Sequence, residues 1–383
     1  MKTILIVVTS LGTGGIMRSL QNFLNQYDTR LYDVDVFAMV HQGLYKGELN
    51  NCNLLSCNRI LNASLARFEK QRGWNRIASL LTKIVNKVTK YRFQQRVFYK
   101  VSNNLSKRKR YDAVIAYSEG VPTEFVACMN HPNKIGWIHC DYASYYQLNH
   151  KKNEKEIYHV LKSVVCVSEY TRTSFLQFFP ELAERTYSIY NVLDSEMMKT
   201  KSVQSLDVPF DKNKFNIVSI GRIDPVKRLS AIPEVARKIV DEDCDIQWYI
   251  IGPKGTNEEY YLLLQNINKY NVSHVVSLLG ELSNPYPYIA NADLLVNTSV
   301  SEACPYVINE AKILHTPIVC TDFGSAIEFV ENGVNGYSVP IDQMSSTIVS
   351  LIKDSVKLLS LKKNLSHFQY DNGAILSQIY NLI

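Results

Sequence analysis

Two glutamates eight positions apart stand in the run Ser301-Glu302-Ala303-Cys304-Pro305-Tyr306-Val307-Ile308-Asn309-Glu310. Ionised carboxylates accept hydrogen bonds, so such a pair suits a grip on hydroxyls to either side of a ligand. Two cations five positions apart, Arg222 and Lys227, suit a phosphate. The guanidinium offers two parallel N–H bonds and the ammonium a mobile point charge. His139 ends an apolar run, and a neutral imidazole there can donate to or accept from a hydroxyl.

Each group follows an element able to hold it. Residues 293–298 read as a short buried strand before the Ser301-Glu302 pair, and Val307, Ile308, Ala311 and Leu314 mark a helix after it, with Pro305 at its first position. The pair then sits in a strand-to-helix turn, at the carboxyl end of a parallel sheet. The N–H groups of the first helical turn, at Cys304 to Val307, lack partners and favour an anion. Arg222 and Lys227 follow a strand over 215–221, and His139 ends one that starts at Lys134. At the amino end, the strand over 2–9 runs into Gly12-Thr13-Gly14-Gly15 and a helix, where glycine lets backbone approach a ligand.

The run from Ser301 through Ala311, with Pro317-Ile318-Val319-Cys320-Thr321-Asp322, Gly324-Ser325-Ala326-Ile327-Glu328 and Glu331-Asn332-Gly333-Val334-Asn335-Gly336, resembles the donor-site signature of glycosyltransferase family 4. Ala303 stands where that family usually has Gly, and Cys304 where an aromatic is common; both leave the backbone N–H in place. The resemblance implies an α/β fold of two Rossmann-like domains facing a cleft, the GT-B fold. It also implies transfer of a sugar, with retention, from a nucleotide-diphosphate sugar (UDP is the first expectation) to a hydroxyl. By resemblance Arg222 and Lys227 grip the diphosphate, and Glu302 orients the sugar beside Ala303, Cys304, Pro305, Tyr306 and Val307. Glu310 takes the ribose hydroxyls. Gly14 and Gly15 line the opposite side of the cleft, from which His139 contacts the sugar. No metal or cofactor is required, since side chains and a helix end hold the diphosphate. The Asp-x-Asp triplets at Asp33-Val34-Asp35 and within Asp241-Glu242-Asp243-Cys244-Asp245 read as solvated acids.

The chain is long enough for two cores: 383 residues, 46% hydrophobic and 20% charged. The sequence divides into an acceptor domain over 1–193, a polar linker over 194–213, a nucleotide-sugar domain over 214–366, and a helix over 367–383 that returns to the first domain. The eight cysteines are scattered without a C-x2-C pair, as buried thiols would be. No apolar run reaches the roughly 18–20 residues of a membrane span, and the short apolar start reads as a strand, so a cytoplasmic protein is expected.

Residues 59–110 hold fifteen Lys or Arg against one acid, Glu69, while the whole chain carries only +6. Leu80, Leu81, Ile84, Val85 and Val88 recur there at helical spacing. A solvated helix face is one reading. Another is contact with the anionic inner face of the cell membrane, where a lipid-diphosphate-linked glycan acceptor would lie, as in capsule or lipopolysaccharide assembly. No nucleic-acid recognition motif accompanies the charge. Rival functions are an epimerase of the same architecture, a nicotinamide dehydrogenase, and a non-catalytic nucleotide-sugar-binding protein. The dehydrogenase would need the full glycine fingerprint, which Gly12-Thr13-Gly14-Gly15 lacks.

Overall fold

The computed structural model describes residues 1–12, 14–40, 49–56, 58–65, 74–89, 92–149 and 153–383. They form two compact units, one of residues 1–193 with 371–383 and one of residues 194–370.

The first unit is built on β1 (Lys2–Ser10), β2 (Tyr32–Val40), β3 (Asn53–Leu55), β4 (Ala113–Ala116), β5 (Lys134–Ile138), β6 (Ser163–Cys166) and β7 (Thr186–Ser188). They pair in parallel in the order β3-β2-β1-β4-β5-β6-β7. Ile4 to Val8 of β1 are at most 1% exposed, as a continuous β-branched and leucine run requires when helices cover both faces of a sheet. The helix Asn372–Leu382, capped by Asp371, closes this unit. Tyr380 stacks on Tyr32 at 4.4 Å and its hydroxyl accepts the Asp28 N–H at 2.9 Å.

The second unit carries β8 (Phe215–Ile220), β9 (Ile246–Ile251), β10 (Val276–Gly280), β11 (Leu294–Asn297), β12 (Ile318–Thr321) and β13 (Gly336–Val339), parallel in the order β10-β9-β8-β11-β12-β13. Trp248 is fully buried in its core. A buried indole needs an acceptor. Its Nε1 donates to Ser219 Oγ at 3.0 Å, and that hydroxyl donates to the Val296 carbonyl at 2.7 Å, so one side chain ties β9 to β8 and β11. In both units the strand order reverses beside the first strand, between β1 and β4 and between β8 and β11. Ligands of open parallel sheets bind at the carboxyl end of such a reversal.

Several expectations are corrected. Residues 194–213 open with a helix, Ser195–Ser202, in which the Asp194 side chain accepts the Met197 N–H at 3.1 Å; capping outweighs the lack of apolar period. Two helices follow β13, Met344–Lys353 and Ser355–Leu365, divided where the Asp354 side chain caps the second. Asp35 is not solvated: it is 2% exposed, accepts from Tyr111 Oη at 2.8 Å and pairs with Lys109 at 3.0 Å. Lys109 also pairs with Asp33 at 2.9 Å, so it is spent inside the fold. The basic stretch forms helices Arg59–Leu65, Trp74–Val88 and Arg92–Arg108, while Arg67, Lys70, Arg72 and Lys90 lie outside the described residues.

Candidate functional site

The second unit brings Arg222, Lys227 and Glu302 together at its strand-order reversal. Gly221 ends β8 and the chain turns through Arg222 to Arg228. A Cβ at Gly252, whose φ is 147°, would lie 2.0 Å from the Gly221 carbonyl oxygen, so β8 and β9 end in a contact that only glycine permits. Asp224, 5% exposed, organises the turn. It accepts from Arg222 Nε at 2.7 Å and from the Lys227 N–H at 3.0 Å. Arg222 thereby has one edge fixed, while its side chain stays 61% exposed. The sequence reading missed Asp224; the Asp-Pro turn was its only signal.

The opposite wall is the loop between β11 and the helix Tyr306–Ile313. Thr298 Oγ1 donates to the Lys227 carbonyl at 2.8 Å, and the Val300 N–H to that of Val226 at 2.8 Å, so the two loops are laced by backbone. Glu302 sits between them with its side chain 12% exposed. Its Oε1 receives Lys227 Nζ in an ion pair and the Ser299 hydroxyl at 2.7 Å, and its carbonyl receives Ser325 Oγ at 2.8 Å. Ser299 is a further residue that pattern alone did not mark, and Ser325 stood in the signature without a role.

Pro305 is the cap of this helix rather than its first residue: its ψ of 108° is extended, and its carbonyl accepts the Asn309 N–H at 3.3 Å. The N–H groups of the first turn therefore begin at Tyr306. Ala303 is half-buried; Cys304, Pro305 and Val307 are buried; Glu310, two turns along, is 1% exposed. Further along the helix, burial pulls Lys312 down to about 8; its Nζ donates to the Phe329 carbonyl at 3.2 Å.

Next to Arg222 opens a pocket of ≈ 560 Å³ lined by Ile223, Gly252, Lys254, Tyr260, Gly280 and Glu281 among others. Lys254 Nζ lies 4.6 Å over the Tyr260 ring. The size is that of a small-ligand site. The loops after β8 and β9 define its edge through the Ile223 N–H to the Pro253 carbonyl, 3.0 Å, and the Gly255 N–H to the Ile223 carbonyl, 3.1 Å.

Gly14, Gly15 and His139 belong to the first unit, at the carboxyl edge of its sheet. Gly14 has φ 143° and caps the helix Gly15–Gln26, and the space where its Cβ would point is open. His139 follows β5. Burial lowers its imidazole to about 3, so it is neutral at physiological pH. Among the described residues, no group of three His, Cys, Asp or Glu converges as metal ligands.

The profile of the family described as "Glycosyl transferases group 1" matches residues 202–368, the span that holds Arg222, Lys227, Glu302 and Glu310. That span, under half of the chain, is similar to the glycosyltransferases of this family.

A poly(ribitol-phosphate) alpha-N-acetylglucosaminyltransferase of Staphylococcus aureus is 26% identical to this chain over 239 residues, 59% of the chain and 45% of the relative. A Campylobacter jejuni enzyme named for 4-alpha-N-acetylgalactosaminyl transfer to a diphospho-undecaprenol-linked sugar is 29% identical over 164 residues, 43% of the chain and 42% of the relative. The chain thus spans under half the length of these two relatives. In fold it superposes over its full length on HepE of Anabaena, solved with UDP and glucose, with a TM-score of 0.72 at 19% identity and 99% of that chain covered. Staphylococcus aureus TarM, solved with UDP and an alpha-GlcNAc-glycerol, gives 0.71 at 17% identity, with 100% and 99% of the two chains covered. The two parallel-sheet units are thus those of the GT-B fold.

Proposed function

We propose that the protein transfers a sugar, with retention, from a nucleotide-diphosphate sugar, a UDP-sugar in the first instance, to a hydroxyl of a glycan or lipid-diphosphate-linked acceptor in polysaccharide assembly. The observation that carries this reading is the meeting of Lys227 and Glu302 at the strand-order reversal, with Arg222 fixed beside them.

Lys227 neutralises Glu302 in an ion pair. A diphosphate carries more negative charge than one carboxylate, so it draws Lys227 Nζ toward itself and frees Glu302 for sugar hydroxyls. Arg222 meets the same phosphates with the edge that Asp224 leaves open. As the anomeric C–O bond breaks, charge grows on the leaving oxygen, and cations already in place stabilise that charge more than the ground state. The N–H groups from Tyr306 onward add a helix end to the anion site. Glu310 is assigned to the ribose hydroxyls, the pocket beside Tyr260 to the base, and His139 to a sugar hydroxyl. The incoming hydroxyl attacks from the face the diphosphate leaves, and a phosphate oxygen takes its proton. The reaction as drawn uses no metal or cofactor. The UDP in the HepE and TarM structures and the acceptors in the two relatives' names support the substrate classes.

The test is nucleotide release from a panel of nucleotide sugars, with and without oligosaccharide acceptors. Acceptor-dependent release supports transfer. Conversion of donor alone to an isomeric nucleotide sugar favours the epimerase, and binding without release the non-catalytic reading.

The contact with an anionic membrane through the 59–110 stretch, and with it a place at the inner membrane face, is part of the proposal. No helix among the described residues is long and apolar enough to cross a bilayer. The helix Trp74–Val88 nevertheless exposes Ile77, Leu80, Leu81, Ile84 and Val88 by 49–77% on one ridge, flanked by Lys83 and Lys87. Apolar bodies with basic flanks suit a headgroup boundary. Exchange of Lys83, Lys87 and Arg92 for Gln is expected to weaken sedimentation with phosphatidylglycerol vesicles at least tenfold at low salt, on the order of 1 kcal/mol per charge. Unchanged sedimentation would reduce the stretch to a solvated face.

A further inference from the structure

The carboxyl edge of the first sheet holds an acid that the reading above leaves unused. Glu119 lies just beyond β4, beside the strand-order reversal. Gly120 follows with φ 77°, and a Cβ there would meet Tyr145 Oη at 2.8 Å, so the chain turns sharply into the helix Val121–Ala127. Thr123 Oγ1 donates to the Ser118 carbonyl at 2.8 Å and fastens the turn. From this fixed base Glu119 reaches across to the end of β5. Its Oε2 accepts the backbone N–H of His139 at 2.9 Å. One side chain thus fixes the exit of the neighbouring strand. Burial raises the Glu119 carboxyl above its usual range, against that hydrogen bond.

What is held in this way is the backbone from which the His139 imidazole projects. The His139 ring packs 5.2 Å from that of Tyr117, which stacks on Trp137 at 5.4 Å. Tyr117 Oη lies 2.9 Å from Ser19 Oγ, which donates to Asn191 Oδ1 at 2.7 Å, so the helix behind Gly14 and Gly15 is tied to the same place. His139 Nε2 is withdrawn from water and has no hydrogen-bond partner among the described residues. A buried polar nitrogen without a partner costs free energy that an arriving hydroxyl returns.

We propose that Glu119 is a positioning residue for the transfer reaction: by accepting the backbone N–H of His139 it keeps His139 Nε2 where a sugar hydroxyl meets it, without touching the sugar itself. The proposal rests on the glycosyl-transfer reading. It differs from a plain strand clamp in that the cost of losing Glu119 passes through His139.

The experiment is a double-mutant cycle on turnover at saturating donor and acceptor, with UDP affinity measured beside it. Glu119→Ala is expected to lower kcat roughly 30-fold and His139→Ala roughly 100-fold, and the double variant is expected to be no slower than His139→Ala, since residues acting as one unit are not additive. Glu119→Gln keeps an oxygen for the His139 N–H and stays within about threefold of the parent, while UDP affinity is unchanged throughout. Additive losses, or a Glu119→Gln as slow as Glu119→Ala, would overturn the positioning role; so would a Glu119→Ala with parental kcat. Should Glu119→Ala fail to fold, Glu119→Asp, too short to reach His139, takes its place against Glu119→Gln. A fully active His139→Ala would remove this proposal and leave the transfer reading intact. Absence of binding of UDP, GDP and ADP alike in the parent would remove the transfer reading itself.

Discussion

Glu302→Ala is expected to lower kcat at saturating donor by on the order of 10²-fold or more, with the thermal midpoint close to the parent's. The carboxylate is nearly enclosed, receives Lys227 Nζ and the Ser299 hydroxyl, and has its own carbonyl fixed by Ser325. Such an arrangement aims an acceptor of hydrogen bonds at one place. A sugar hydroxyl held there keeps the anomeric carbon in line with the incoming hydroxyl, and misplacement by an ångström is costly. Alanine also leaves Lys227 without its partner in the ligand-free state, so part of the loss in kcat/KM is offset by tighter diphosphate binding. The split is diagnostic: kcat falls far more than donor affinity. Parental kcat in this variant would take Glu302 out of the reaction.

Lys227→Ala is expected to lower kcat by about 10²–10³-fold and to weaken the nucleoside diphosphate as well. Charge on the leaving diphosphate grows in the transition state, and this ammonium is the cation closest to Glu302 in the site. Its stem packs over Gly221, where a Cβ would come within 3.3 Å of Lys227 Cγ, so its direction is set by the end of β8. Lys227→Arg is expected to recover only part of the loss, because a planar fork does not replace a point charge in a pocket cut for a lysine stem. Equal effects on donor affinity and on kcat/KM with kcat untouched would mean uniform binding, and the assignment to the transition state would fail.

Much of this was legible in the chain itself because buried parallel strands are written as apolar runs. β1, β2, β8 and β9 each stand out, and the turns after β1, β8 and β9 carry glycines, the last two with cations as well. The three-residue strands β3 and β7 and the four-residue β13 did not stand out, since so short a stretch has no period of its own. The salt bridge between Lys227 and Glu302 joins residues 75 positions apart, and spacing could not have announced it. Asp224 looked like part of a turn, and Glu119 like one more polar residue in a loop; each acquires meaning only when a neighbouring strand is laid beside it. Asp35 misled in the other direction. Its alternation with Asp33 suggested solvent, yet Lys109 and Tyr111, just before β4, reach it with hydrogen bonds. Pro305 was displaced by one position because its carbonyl, rather than its ring nitrogen, begins the helix.

The measurement closest to the central claim is titration calorimetry of UDP, GDP and ADP into the parent protein and Lys227→Ala. One nucleoside diphosphate is expected to bind the parent at a single site with micromolar affinity, and at least tenfold more weakly once the ammonium is gone, a loss of about 1.4 kcal/mol or more. No heat from any of the three, or equal affinity in both proteins, would contradict the assignment of this site to a nucleotide sugar.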